Sequence, residues 1–126
     1  MRAAIMGVSL ALLVSAEIVS AGIAVAAPAG RLLPKDIQAT FFNGEAFTAA
    51  TPSNIKFKMV FSADGKMTRE PIGKTGAKSE GTWKLSADGF CTTWKGSKEN
   101  CFRVQATGDK KWSIIAGTTA AAYWTK

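Results

Sequence analysis

The chain has 126 residues, with 16 basic side chains, 9 acidic side chains and a formal net charge of +7. This length leaves room for one domain. Histidine is absent, which excludes a Ser–His triad, a Cys–His pair, histidine acid/base catalysis and a histidine metal site in this chain.

The first 26 residues have the features of a secretory signal peptide. Arg2 supplies a positive start, residues 3–16 form an apolar run, and Ala24 and Ala26 fit the site at which signal peptidase cuts. A membrane anchor is the alternative, but the run is shorter than the roughly 20 residues of a spanning helix, and Glu17 would lie near its middle. We therefore expect cleavage after Ala26, no membrane anchor in the cleaved protein, and a periplasmic or secreted location.

Residues 27–34 contain two prolines and a glycine and predict a flexible lead-in to a single domain over residues 35–126. A short helix is predicted over Pro34–Phe42, because Pro34 suits a first helical turn and Asn43-Gly44 ends the pattern. Part of this segment, Thr40 to Phe42, is also acceptable in a strand.

From Ile55 onwards, apolar and polar residues alternate, as they do in a strand that has one face in a core. Residues 62–65 predict a turn, and residues 66–72 predict the returning strand of a hairpin. Pro71 would mark the end of an edge strand. Residues 73–78 predict a loop.

Further strands are predicted after this loop, separated by Gly-containing turns at residues 87–89, 96, 107–110 and 117–118. Trp83 and Leu85 share one face. Seven strands can be counted, and an eighth is possible around residues 46–49. The sequence thus predicts a mostly β protein: a small antiparallel meander, closed as a barrel or open as a half-barrel, with one short N-terminal helix.

The two cysteines predict one disulfide, Cys91–Cys101, because an exported chain meets an oxidising compartment and contains no other cysteine. If Cys91 faces Cys101, then Phe90 faces Phe102 and the hairpin closes around Gly96. The disulfide would lie on the face opposite the aromatic residues and would fix the strand register.

The carboxylates give little support for catalysis. Asp64, Asp88 and Asp109 each stand beside glycine or in a turn, where aspartate usually bonds its own backbone. Glu70 and Glu80 flank the 73–78 loop, and a salt bridge or solvation suits them better than a glycosidase-like pair. We expect a protein that is not an enzyme and that has no cofactor or metal.

The remaining candidates for function are aromatic rings and positive charge. The four tryptophans are expected to fill the core, with Trp94 the exception because it lies near the hairpin tip beside Lys95 and Lys98. Outward lysines keep many proteins soluble, but they can also attract an anionic surface. The candidate partner-binding residues are Trp94, Lys95, Lys98, Arg103, Lys56 and Lys58. Export makes nucleic acid an improbable partner.

The order of motifs resembles that in a family of small exported bacterial proteins of uncharacterised function. The motifs are Asp64-Gly65, Gly81-Thr82-Trp83, Cys91-Thr92-Thr93-Trp94 and Cys101-Phe102-Arg103-Val104. The resemblance covers about half of the cleaved chain. It implies export and a β architecture, and it implies no particular activity.

A second resemblance is to the small periplasmic inhibitors of bacterial metalloproteases, which are lipocalin-like barrels. It rests on Gly81-Thr82-Trp83-Lys84-Leu85 followed by Cys91 and Cys101. In those inhibitors the N-terminal segment enters the protease cleft, and residues 27–31 would be the corresponding segment here.

From these features we predict a non-enzymatic exported binding protein whose partner is another protein or an anionic envelope component. The alternative is an inhibitor of a secreted hydrolase, of protease or lysozyme type, that acts through its N-terminal segment or a barrel loop. The sequence leaves the oligomeric state open.

Overall fold

The protein forms a closed barrel of eight antiparallel strands, preceded by one helix. A computed structural model describes residues 30–73 and 75–126. The predicted signal peptide and residues 27–29 of the predicted lead-in lie outside the described residues. The elements in chain order are α1 (Pro34–Phe41), β1 (Ala46–Ala50), β2 (Lys56–Phe61), β3 (Lys66–Pro71), β4 (Ser79–Leu85), β5 (Phe90–Trp94), β6 (Glu99–Gly108), β7 (Lys111–Ala116) and β8 (Thr119–Thr125).

The meander closes because its first strand pairs with its last. Ala49 of β1 lies opposite Trp124 of β8. The remaining pairings all join strands that are consecutive in the chain. The eighth strand and the barrel are thus confirmed, and the half-barrel alternative is excluded. Closure leaves β3 paired on both sides, so Pro71 ends this strand without marking a sheet edge.

Alternation along the strands separates an aromatic interior from a polar exterior, as predicted. On β2, Met59 and Phe61 are buried, whereas Lys56 and Lys58 are exposed. Ile55, which the pattern placed on the inner face, precedes the strand and is 39% exposed. It therefore belongs to a loop.

The predicted helix closes one end of the barrel. Pro34 occupies its first turn, where a missing N–H costs nothing. Ile37 and Phe41, one helical turn apart, are fully buried, and Phe42 follows them into the core. Phe41 makes edge contacts with Trp112 and Trp124, while Phe42 stacks on Phe61 at a centroid distance of 4.6 Å. Throughout the described ranges, no helix has the length and apolar character needed to cross a membrane.

Lys126, directly after β8, connects the helix to the barrel. The Lys126 ammonium donates to the Thr40 carbonyl, pairs with Glu45 at 2.9 Å and lies over the Phe41 ring. The hydrogen bond from the Lys126 ammonium to the Glu45 carboxylate, together with the positive charge of Lys126, holds the pKa of Glu45 below its ordinary value of 4.5.

The described part of the lead-in is bonded to the barrel. Gly30 accepts a hydrogen bond from the Ala106 N–H, and Leu32 donates to the Val104 carbonyl. Arg31 forms a bridge with Gln105 between them. Residues 30–32 thus lie along β6 where β5 no longer covers it.

The disulfide is formed as predicted. Cys91 lies directly opposite Cys101, and Phe90 opposite Phe102. Cys91 and Cys101 have the outward parity of their strands, while the Phe90 and Phe102 rings meet inside the barrel at a centroid distance of 5.4 Å. One pair therefore fixes the β5–β6 register from outside and the other from inside.

Candidate functional site

The two ends of the barrel carry different loops. In an antiparallel meander, alternate connections reach the same end. The helix end, closed by α1, has the tight turns 62–65, 86–89 and 109–110. The opposite end, here called the open end, has the connections 51–55, 72–78, 95–98 and 117–118.

This alternation also brings the turn aspartates to one end, where three flanking lysines balance their charge. Asp64, Asp88 and Asp109 all fall in helix-end turns, so a sequence feature scattered along the chain becomes a feature of one end. The Asp64 carboxylate accepts a hydrogen bond from the Lys66 backbone N–H at 3.2 Å, as expected of a turn-forming aspartate. The open-end connections contain no aspartate among their described residues.

Among the described residues, four exposed lysines surround the open end: Lys56, Lys78, Lys95 and Lys98. None of the four forms an ion pair with a described residue. We call these four residues the open-end lysines. Two nearby carboxylates are engaged elsewhere, because Glu70 pairs with Lys58 at 3.9 Å and Glu99 with Lys84 at 3.1 Å. Glu80 remains as an exposed carboxylate at this end, so positive charge is in excess there.

An apolar cavity of about 170 Å³ lies inside the barrel on the open-end side. Seven of the eight strands line it, all except β4. Its aromatic and aliphatic lining includes Phe57, Met59, Phe102, Ile114 and Ala122. The helix contributes nothing to this lining, because α1 fills the other end.

Arg69 is the charged residue in the cavity wall. It lies opposite Met59 of β2 and Ser79 of β4, both of inward parity, so its side chain enters the barrel. The guanidinium carbon is 4.3 Å from the centroid of the Trp94 ring and 5.1 Å from that of Phe57. Across residues 30–73 and 75–126, it has no carboxylate partner and no side-chain hydrogen bond.

Thr92 contributes a second polar group to the cavity wall. This residue is only 6% exposed, and its side chain lines the cavity together with Arg69. Its hydroxyl forms no hydrogen bond with any described group. A mostly apolar cavity with a few convergent polar groups is the usual form of a small-ligand site.

The predicted partner-binding residues fall into two groups. Trp94 is half-buried beneath Arg69, and Lys95, Lys98 and Lys56 lie at the same end of the barrel. The other two residues lie on the outer wall with partners of their own: Lys58 pairs with Glu70, and Arg103 donates to the Gly117 carbonyl.

Cys91, Glu99 and Cys101 each offer one atom that could bind a metal ion, and these three atoms lie within 4.8 Å of one another. The two sulfurs are bonded to each other, so they offer no thiolate to a metal ion.

Sequence reasoning missed Arg69, Thr92 and Lys78 as site residues. Arg69 follows Met67 at the inward parity of its strand, and a charged residue at such a position could have drawn attention to it. Thr92 shares the inward parity of Phe90 and Trp94, but only the packing around it leaves its hydroxyl without a hydrogen bond to a described group. Lys78 joins the other lysines only through the topology of the meander.

Comparison of the chain with protein-family models, with curated proteins and with solved structures finds no match. The site described above therefore rests on its own geometry.

Proposed function

We propose that this is a non-enzymatic, periplasmic or secreted binding protein that recognises an anionic component of the cell envelope at the open end of its barrel. The observation that carries the proposal is the set of open-end lysines, which are exposed and have no ion-pair partner among the described residues. The disulfide fits an oxidising compartment.

The distribution of charge supports a particular end of the molecule. The turn aspartates at the helix end offset the lysines there, Lys66, Lys110 and Lys111, whereas at the open end the lysines face solvent with Glu80 as the one unpaired carboxylate among the described residues. Two exposed isoleucines, Ile55 and Ile72, stand in the open-end connections at 39% and 45% exposure. Positive charge next to exposed apolar side chains suits an amphiphilic anionic surface such as lipopolysaccharide.

An anionic envelope component is favoured over a protein partner. A stable protein interface usually has a central apolar patch with a polar rim. At the open end the exposed Ile55 and Ile72 stand at neighbouring strand ends, where the Ile72 N–H donates to the Lys56 carbonyl, so a lysine lies directly beside this pair and no apolar centre is surrounded by a polar rim. A protein partner would be indicated instead by binding that does not change with salt.

The test is retention on immobilised heparin, used as a polyanion probe, and on lipopolysaccharide vesicles at increasing salt. The double variant Lys95→Glu/Lys98→Glu should elute at a clearly lower salt concentration than the unmodified protein, because it loses two of the open-end charges. The matched control is Lys110→Glu/Lys111→Glu at the helix end, which changes the net charge equally at two exposed lysines that form no ion pair with a described residue. Equal loss in both double variants, or retention unaffected by salt, would contradict the proposal.

Inhibition of a secreted hydrolase through residues 27–31 receives less support. Gly30 is hydrogen-bonded to Ala106, and Arg31 bridges to Gln105. An inhibitory segment of these five residues would have to release those contacts before it could enter an active-site cleft.

A further inference from the structure

From the cavity behind the open end, we infer a second binding site, for a small apolar monoanion whose carboxylate is held by Arg69. The inference goes beyond the proposed envelope binding and does not rest on it, because the cavity residues point into the barrel and the open-end lysines point into solvent.

The Arg69 guanidinium has no carboxylate partner among the described residues. The Arg69 side chain is partly buried and also lines the surface groove that holds Glu80 and Lys95, so its guanidinium stands at the mouth of the cavity, where a cation attracts an anionic ligand. Here the guanidinium lies between the Trp94 and Phe57 rings and has no anionic partner within the described part of the chain. The rings hold it by cation–π contact, which leaves its N–H donors available.

The N–H donors of the Arg69 guanidinium suit a carboxylate ligand. A guanidinium presents two parallel N–H groups that match the two oxygens of a carboxylate. The unbonded Thr92 hydroxyl lines the same cavity and can donate one further hydrogen bond. Thr92 is almost fully buried, so a ligand that reaches it must leave water behind.

The cavity inside the barrel has the size and the mostly apolar lining that suit a small ligand. The cavity holds about 170 Å³, close to the roughly 150 Å³ of an apolar protein cavity that accepts benzene. The most buried residues of its lining are Phe61, Phe90, Ile114 and Trp124. One aromatic ring or a short aliphatic chain fits such a space, whereas a long acyl chain would exceed it.

The alternative is that Arg69 only plugs the mouth of the cavity by stacking on the two rings. The two interpretations predict different effects on ligand binding when the positive charge of Arg69 is removed. A plug that is removed opens the cavity and strengthens the binding of both neutral and anionic probes. A carboxylate-binding arginine that is removed weakens the binding of the anion alone.

The experiment uses benzoate and its neutral analogue benzamide as probes, with calorimetry and tryptophan fluorescence as readouts. The unmodified protein should bind benzoate saturably, with a dissociation constant below about 1 mM. Benzamide should bind at least about tenfold more weakly, because it lacks the charge-assisted hydrogen bonds. This comparison needs no variant and so does not depend on how a substitution affects folding.

The variant Arg69→Met keeps an unbranched stem and removes the charge. It should bind benzoate at least about tenfold more weakly and leave benzamide binding unchanged. Thr92→Val should weaken benzoate binding to a smaller extent, and Lys111→Met, which removes an exposed positive charge at the helix end, serves as the control that leaves benzoate binding unchanged. No saturable benzoate binding, or benzoate binding that is unchanged or stronger in Arg69→Met, would overturn the inference. Heparin retention is measured separately and tests only the envelope proposal.

Discussion

Arg69 stands over Trp94 inside the barrel, with the guanidinium carbon 4.3 Å from the centroid of the indole ring. The sequence predicts that Trp94, near the hairpin tip, is the exception among the core tryptophans, and in the structure its indole is partly buried, packs against the core and lies beneath the Arg69 guanidinium. The pair lies where the apolar cavity meets the charged rim, so it links the two proposed binding sites.

The Arg69→Met variant should remain folded and lose about 0.5–1 kcal/mol of unfolding free energy. A cation–π contact at a partly exposed position contributes about this much, while the methionine keeps most of the apolar packing. Urea denaturation followed by tryptophan fluorescence measures the change. A loss above about 3 kcal/mol, the size expected for breaking a buried polar network, would identify Arg69 as a structural residue.

The disulfide should contribute about 2–3 kcal/mol of unfolding free energy, because its cysteines are ten residues apart and close a short loop. We expect Cys91→Ala/Cys101→Ala to unfold at lower urea with an unchanged far-ultraviolet circular dichroism spectrum. Phe90 and Phe102 still meet inside the barrel and keep the register. An unchanged urea midpoint, or loss of the β spectrum without urea, would refute this account of the hairpin.

Gly89 should be intolerant of any side chain. A Cβ at this position would lie 1.9 Å from the Phe102 carbonyl oxygen and 3.1 Å from the Arg103 Cα, both in the backbone of β6. Gly89→Ala should therefore cost about 3 kcal/mol or more. The matched control is Gly108→Ala, whose Cβ would meet only the Lys111 side chain at 3.8 Å.

Chemical denaturation of both glycine variants provides the measurement. Gly108→Ala should be neutral or stabilising by up to about 1 kcal/mol, since alanine restricts the unfolded chain. Similar destabilisation of the two variants would show that the close approach to β6 is not the cause.

The Glu45–Lys126 pair should stabilise the fold at neutral pH and not at strongly acid pH. The pKa of Glu45 is lowered in the folded protein, so this stabilisation is fully present above the ordinary pKa of 4.5 and is lost as pH falls through the folded value. Glu45→Gln should lower the melting temperature at pH 7 and have no effect below the folded pKa. A melting difference that is independent of pH, or that grows in acid, would exclude this pair as its source.

Much of the barrel follows from local sequence pattern. The alternation of Phe57, Met59 and Phe61 predicts β2 and its inner face, and Cys91 with Cys101 predicts the register of β5 and β6. Pro34 and Asn43-Gly44 predict the helix. In each case neighbouring residues determine the result.

The closure and the site depend on contacts between residues far apart in sequence. The pairing of Ala49 with Trp124 joins the two ends of the domain, and no local pattern specifies it. Arg69 was missed because β3 has a weak apolar alternation, with Met67 as its one buried residue. The excess of lysines over carboxylates at the open end becomes visible only once the direction of every strand in the meander is known.

The most direct test of the central claim, that the open end is the binding end, is an amide nuclear magnetic resonance titration with a heparin-derived oligosaccharide. We predict that the largest shifts fall on the connections 72–78 and 95–98 and on the indole N–H of Trp94, and that they diminish at high salt. The turns 62–65 and 86–89 at the helix end should keep their positions. Shifts concentrated at the helix end, or no shifts at low salt, would contradict the claim.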